Sequence, residues 1–131
     1  MTFKLDNVRP MLAVTSIDDT ILFYRNLLGF ECVNRMGGWA ALRKDEVEIM
    51  ISLPNAHEPF ERPRLTGSLY FNANDVGSLW DEIKDKVNVV YPLENFYYGM
   101  REFAIRDNNG YILQFGQEIS DPSQIPPPEM D

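Results

Sequence analysis

The chain is poor in the residues that most often do chemistry. Its 131 residues contain one histidine, His57, and one cysteine, Cys32. A single cysteine excludes an internal disulfide and any cysteine-based zinc cluster. No apolar run approaches the about 20 residues that a membrane-spanning helix needs, and the opening stretch MTFKLDNVRP has no apolar core of a secretory signal. Together these features are those expected of a cytoplasmic protein. Basic residues are also scarce: 12 Lys and Arg against 20 Asp and Glu leave a net charge of −8. No basic patch is present for nucleic acid or an anionic membrane surface, so neither is an expected partner. An acidic field instead attracts cationic ligands. Gly37-Gly38 stands alone and reads as a turn, so the chain has no glycine-rich phosphate loop.

What the chain does have is a repeat. In residues 17–28, Ile17, Ile21, Tyr24 and Leu28 form one apolar helical stripe. Ser16 is the candidate N-cap, with Asp19 three residues on, and Gly29 follows the last turn. Val76, Trp80, Ile83 and Val87 repeat the stripe at an offset of 59 residues, with Asn74 or Asp75 as cap. The spacing predicts helices over about 16–29 and 75–87. A strand-like run precedes each one (VRPMLAVT, GSLYFNA) and three follow each one (FECVNRM, WAALRK, VEIMISL; NVVYPL, MREFAIR, YILQFG).

The expected fold is therefore α+β: two tandem β-α-β-β-β modules forming a curved mixed sheet around a cleft, within one domain spanning 1–131. Module one covers about 8–53, a proline-rich linker 54–66, module two about 67–119, and an extended or disordered tail 120–131. Alternation along each strand sorts the side chains. Val47, Ile49 and Ile51, Leu113 and Phe115, Leu12 and Val14, and Leu69 and Phe71 should face the helices. Glu48, Met50 and Ser52, Ile112 and Gln114, Arg9 and Met11, and Ser68 and Tyr70 should face the cleft. Cys32 is expected as a small buried strand residue, Trp80 as core, and His57 as a solvated residue of the linker.

The runs MLAVTSIDDTILFYRNLLGFE and GMREFAIRDNNGYILQF resemble the opening and closing motifs of the vicinal oxygen chelate superfamily, which holds glyoxalase I, extradiol dioxygenases, fosfomycin-modifying enzymes and bleomycin-resistance proteins. YYGMREF is most similar to the bleomycin-resistance branch. The resemblance implies a divalent-metal site of His and Glu on the first and last strands of each module. Those positions fall on Arg9, Met50, Ser68 and Gln114. A guanidinium cannot ligate a cation, a thioether is a soft ligand, and Ser and Gln are weak neutral donors. No metal, no cofactor and no catalytic residue is therefore expected.

The bleomycin-resistance likeness implies a homodimer that sequesters a small molecule, in keeping with an antibiotic-resistance role, and a ligand that is cationic and aromatic. Trp39, Met50, Tyr70, Tyr98, Arg101, Glu102 and Gln114 are the expected ligand-binding residues, with Arg9 paired to Glu48 or Glu102. The alternative is a lyase, isomerase or dioxygenase of glyoxalase type using the same cleft.

Overall fold

In the computed structural model, residues 2–54 and 60–128 are described; His57 lies outside them. The first stripe folds as α1 (Ile17–Leu28). The Ser16 hydroxyl accepts from the Asp19 amide at 3.1 Å, satisfying one of the donors that a helix start leaves open. Gly29 takes a left-handed φ of 74°, and its amide returns to the Arg25 carbonyl.

The second helix, α2, covers only Val76–Ile83, and Asp75 is the residue that caps it. The expected end at 87 is too long: Lys84–Lys86 form a turn, closed by the Lys86 amide on the Ile83 carbonyl. No glycine stands there to stop a full helix, and the next strand already begins at Asn88.

The strands of the first module are β1 (Met11–Ala13), β2 (Glu31–Met36), β3 (Trp39–Lys44) and β4 (Val47–Ser52). Those of the second are β5 (Leu69–Asn72), β6 (Asn88–Asn95), β7 (Met100–Arg106) and β8 (Ile112–Glu118). Each module makes one mixed four-stranded sheet with matching topology: β1-β4-β3-β2 and β5-β8-β7-β6. The outer strand before each helix runs parallel to the last strand of its module, and the other pairs are antiparallel.

The chain divides into two compact units between Pro63 and Arg64. In the first, Val14, Tyr24, Leu42, Ile49 and Ile51 are fully buried between α1 and the sheet. In the second, Val76 and Ile83 are buried, and Trp80 of α2 lies on Phe103, with ring centroids 5.1 Å apart. Phe103 stacks on Phe115, which stacks on Phe71. Burial at these positions is the main stabilising term of each unit, at about 25 cal/mol per Å² of apolar surface removed from water.

Three expectations are corrected. Cys32 is exposed, because β2 is a sheet edge whose six residues are all exposed. Val47 is 36% exposed: it is the first residue of β4, beside the Asp45-Glu46 turn. The tail is not wholly irregular. Pro122–Gln124 form a 3-10 turn capped by Asp121, and Asn95 Nδ2 donates to the Gln124 carbonyl at 3.1 Å. Among the described residues, no helix is long and apolar enough to cross a membrane.

Candidate functional site: a buried carboxylate among tyrosines

The second sheet buries one face under α2. Its opposite face carries Tyr70 of β5, Glu102 and Ala104 of β7, and Gln114 and Gly116 of β8. The register sets them side by side: Tyr70 beside Gln114, Gln114 beside Ala104, and Glu102 beside Gly116.

Glu102 is fully buried, and its carboxylate collects donors from three strands. The Tyr70 hydroxyl donates to Oε1 at 2.9 Å, and the Tyr91 hydroxyl donates to Oε2. Gln114 Nε2 donates to the Tyr91 oxygen at 2.8 Å and reaches Glu102 Oε2 at 3.4 Å. Ser68 Oγ donates to Gln114 Oε1 at 2.5 Å, completing a chain from Ser68 through Gln114 and Tyr91 to Glu102. Among the described residues, none of the ion pairs involves Glu102. Hydrogen bonds, with no cation among them, satisfy its oxygens inside the protein, where an unpaired polar group is costly.

The phenols respond to this placement. Desolvation, then the hydrogen bond to Glu102, pushes the Tyr91 hydroxyl up to about 12, with the Gln114 amide opposing the shift. Tyr70 and Tyr98 are raised further for the same two leading reasons. Their side chains are half exposed, but the Tyr70 hydroxyl turns to a buried carboxyl group, beside which a phenolate is unfavourable. All three phenols therefore stay protonated donors at neutral pH.

Two local devices build this cluster. The first is a bulge. Val89 pairs with Ile105, but Tyr91 pairs with Ala104, so β6 holds one extra residue there. In a regular strand Tyr91 would share the helix-facing side with Val89; the bulge turns it to Glu102. A second shift follows before Glu94, across Pro92, which has no amide hydrogen for the ladder. The other device is the β6–β7 turn, residues 96–99. The Gly99 amide bonds the Phe96 carbonyl, and Gly99 takes a φ of 86°. The turn stacks Tyr98 on Phe96 at 5.4 Å, and Phe96 in turn packs edge-on against Tyr91.

Beside the cluster lies a cavity of about 520 Å³, lined by Asn72, Tyr98, Met100, Glu118, Ile119 and Ile125, among others. Gly116 is part of its wall. A Cβ at Gly116 would lie 1.9 Å from the Tyr70 hydroxyl oxygen, so that hydroxyl sits directly over this glycine. Tyr98 is thus part of the cavity wall, and Tyr70 crosses Gly116 beside it.

Of the expected site residues, Tyr70, Tyr98, Glu102 and Gln114 come together here. Arg101 does not: it alternates to the other side of β7 and donates from Nη1 to Asn95 Oδ1 at 3.2 Å. Trp39 and Met50 belong to the first unit, where they share the sheet face opposite α1 with Glu48. On that face Arg9 pairs with Glu48 at 2.5 Å, one of the two carboxylates expected for it. Tyr91, Ser68 in its bonded role, and the cavity-wall residues Ile119 and Ile125 were not among the expected ligand-binding residues. Strand alternation places Tyr91 on the wrong face, and only Pro92 in the run signals an irregular strand.

The family model of the Glyoxalase/Bleomycin resistance protein/Dioxygenase superfamily matches residues 5–115, and the chain belongs to that superfamily. Among curated proteins no match was found. A protein of unknown function from Agrobacterium tumefaciens superposes with a TM-score of 0.76 at 24% identity, over 90% of this chain and 98% of that one. A glyoxalase/bleomycin resistance protein/dioxygenase from Nocardioides superposes at 0.70 with 14% identity, over 99% and 92%. A lactoylglutathione lyase from Agrobacterium tumefaciens gives 0.67 at 20% identity, over 86% and 92%. At these identities the likeness is one of fold.

The metal that the superfamily resemblance implies does not fit the residues at the corresponding positions. Arg9 is a cation engaged with Glu48, and Met50 offers a thioether. Ser68 and Gln114 are engaged with each other, and the Gln114 amide with Tyr91. Neither pair presents an imidazole or a carboxylate.

Proposed function

We propose that this protein is a metal-free small-molecule binding protein of the bleomycin-resistance type, which sequesters a cationic, aromatic ligand. The observation that carries this reading is Glu102: a buried carboxylate, ringed by tyrosines, with no cation of the protein paired to it among the described residues. A ligand cation brought to the phenols gains the field of that charge, and the rings of Tyr70, Tyr97 and Tyr98 offer flat surfaces for stacking and cation–π contact. The cavity is within the size range of small-molecule sites.

The protein is further proposed to act as a homodimer. Phe3, Leu5, Val8 and Met11 are 63%, 79%, 90% and 54% exposed, an apolar series that a second copy would cover. The test of function is a thermal-shift panel of cationic aromatic compounds against wild type and Glu102→Gln. A raised melting temperature in wild type, weakened in the variant, is expected. Equal stabilisation of both proteins, or stabilisation by neutral and anionic aromatics alone, overturns the reading.

A further inference from the structure

We infer that Glu118 is the residue that contacts the ligand's cation, with Asn72 as its polar neighbour, and that the ligand's apolar body lies on Met100, Ile119 and Ile125. This deepens the proposed binding function and rests on it.

Glu102 and Glu118 both stand on the sheet face away from α2, and a ligand in the cavity reaches only Glu118. Glu102 is fully buried, and Tyr70, Tyr91 and Gln114 occupy its oxygens. Glu94, opposite Glu102 on β6, is not part of the cavity wall. Glu118 is exposed and lines the cavity. Its direction follows from the strand. β7 and β8 pair without a shift from Arg106 and Ile112 to Met100 and Glu118, so Glu118 shares the face of Gln114 and Gly116. Gln117 turns the other way, and its Oε1 accepts from the Val76 amide at the start of α2.

Asn72 joins this face beside Gly116, as Tyr70 does beside Gln114. Among the described residues, the side chains of Asn72 and Glu118 have no hydrogen-bond or ion-pair partner. No Lys or Arg lines the cavity. Arg101, beside Gln117 on the opposite face, is held by Asn95. An incoming cation therefore meets a free carboxylate and a free amide, with no like charge in the wall.

An ion pair on open surface is worth little. The wall is what strengthens this one. Met100, Ile119 and Ile125 are part-buried apolar side chains around the same cavity. Ile125 is brought there by the tail: its Cδ1 lies 3.9 Å from where a Cβ of Gly99 would stand, and Asn95 Nδ2 holds the Gln124 carbonyl. Tyr98 adds a ring to the wall. A ligand body seated on these groups removes water from one side of Glu118, and the pair becomes a charge-assisted hydrogen bond in a drier place.

The experiment compares naphthylmethylamine, a cation at neutral pH, with its neutral analogue naphthylmethanol. Both are titrated calorimetrically into the full chain. Wild type should bind the amine about tenfold more tightly than the alcohol. Glu118→Gln, a change of charge at an exposed position, should remove most of that preference and leave the alcohol unchanged. Glu82→Gln removes the same charge from an exposed position on α2, across the sheet, and should leave both probes within about twofold of wild type. Ile125→Ala should weaken both probes alike, by about fivefold. A preference that survives Glu118→Gln, or that falls equally in Glu82→Gln, overturns the inference and leaves the proposed cation-binding function standing. So does an Ile125→Ala protein that binds both probes as wild type does. Equal binding of the two probes by wild type, or binding of neither, sinks both.

Discussion

The hydroxyl of Tyr70 lies directly over the backbone of Gly116, where a single added Cβ would stand 1.9 Å from its oxygen. No positive φ is involved; the glycine is there for space, so that a side chain from β5 can cross β8 and reach Glu102 on β7. In Gly116→Ala the ring must leave. Because Tyr70 is 40% exposed it can swing outward, so the fold should survive with a loss of about 1 kcal/mol for the broken hydrogen bond. Denaturant unfolding gives the cost. Ultraviolet titration should show the Tyr70 phenol returning toward its ordinary range.

Alkali should act on the same cluster. The phenols of Tyr70, Tyr91 and Tyr98 all have pKa values raised above the ordinary value near 10, that of Tyr91 to about 12. In the unfolded chain they lose their protons from about pH 10, while the folded protein still holds them. Over that window the folded state binds more protons, so stability falls as pH rises. The contribution is fully present below pH 10 and disappears through the folded pKa values. Urea unfolding between pH 9 and 12 should show this decline, and Tyr91→Phe should flatten it.

The Arg9–Glu48 pair should contribute little. Its side chains are 43% and 21% exposed, so solvent and salt screen the attraction. Arg9→Gln should cost less than about 1 kcal/mol, and the difference from wild type should shrink further in 1 M salt. A loss of several kcal/mol would show that the pair is coupled to other groups.

Calorimetry with zinc or nickel tests the donor chemistry at Arg9, Met50, Ser68 and Gln114. No tight binding of one ion per chain is expected, since the two residues of each unit supply neither imidazole nor carboxylate. Tight binding that is lost in Gln114→Ala would restore the metalloenzyme alternative.

Removing residues 120–131 should lower the melting temperature by a few degrees, because Ile125 and the Asn95–Gln124 hydrogen bond are lost. It should also weaken ligand binding, since Ile125 is part of the cavity wall. A truncated protein that binds as wild type does would place the ligand elsewhere.

The order of elements was legible in the sequence because its causes are local. A stripe at Ile17, Ile21, Tyr24 and Leu28 can be buried only as a helix, and Ser16 and Gly29 mark its ends by their own hydrogen bonds and dihedral preference. The duplication followed from the same pattern at Val76, Trp80 and Ile83. Alternation placed Tyr70 and Gln114 on the face away from α2, and that needed only the period of a strand; it was the pairing of β7 with β8 that separated Glu102 from Arg101. Alternation did not place Tyr91. A bulge is a mismatch between two strands, so β6 alone does not reveal which side Tyr91 takes; its pairing with β7 does. The space at Gly116 likewise depends on a ring from a strand 46 residues earlier in the chain. Glu102 was an expected site residue, but it is one acidic residue among 20 and nothing in the sequence marked it for burial. Only the packing of β5, β6, β7 and β8 removed water from it, supplied tyrosine donors in place of a cation, and made it the centre of the candidate site.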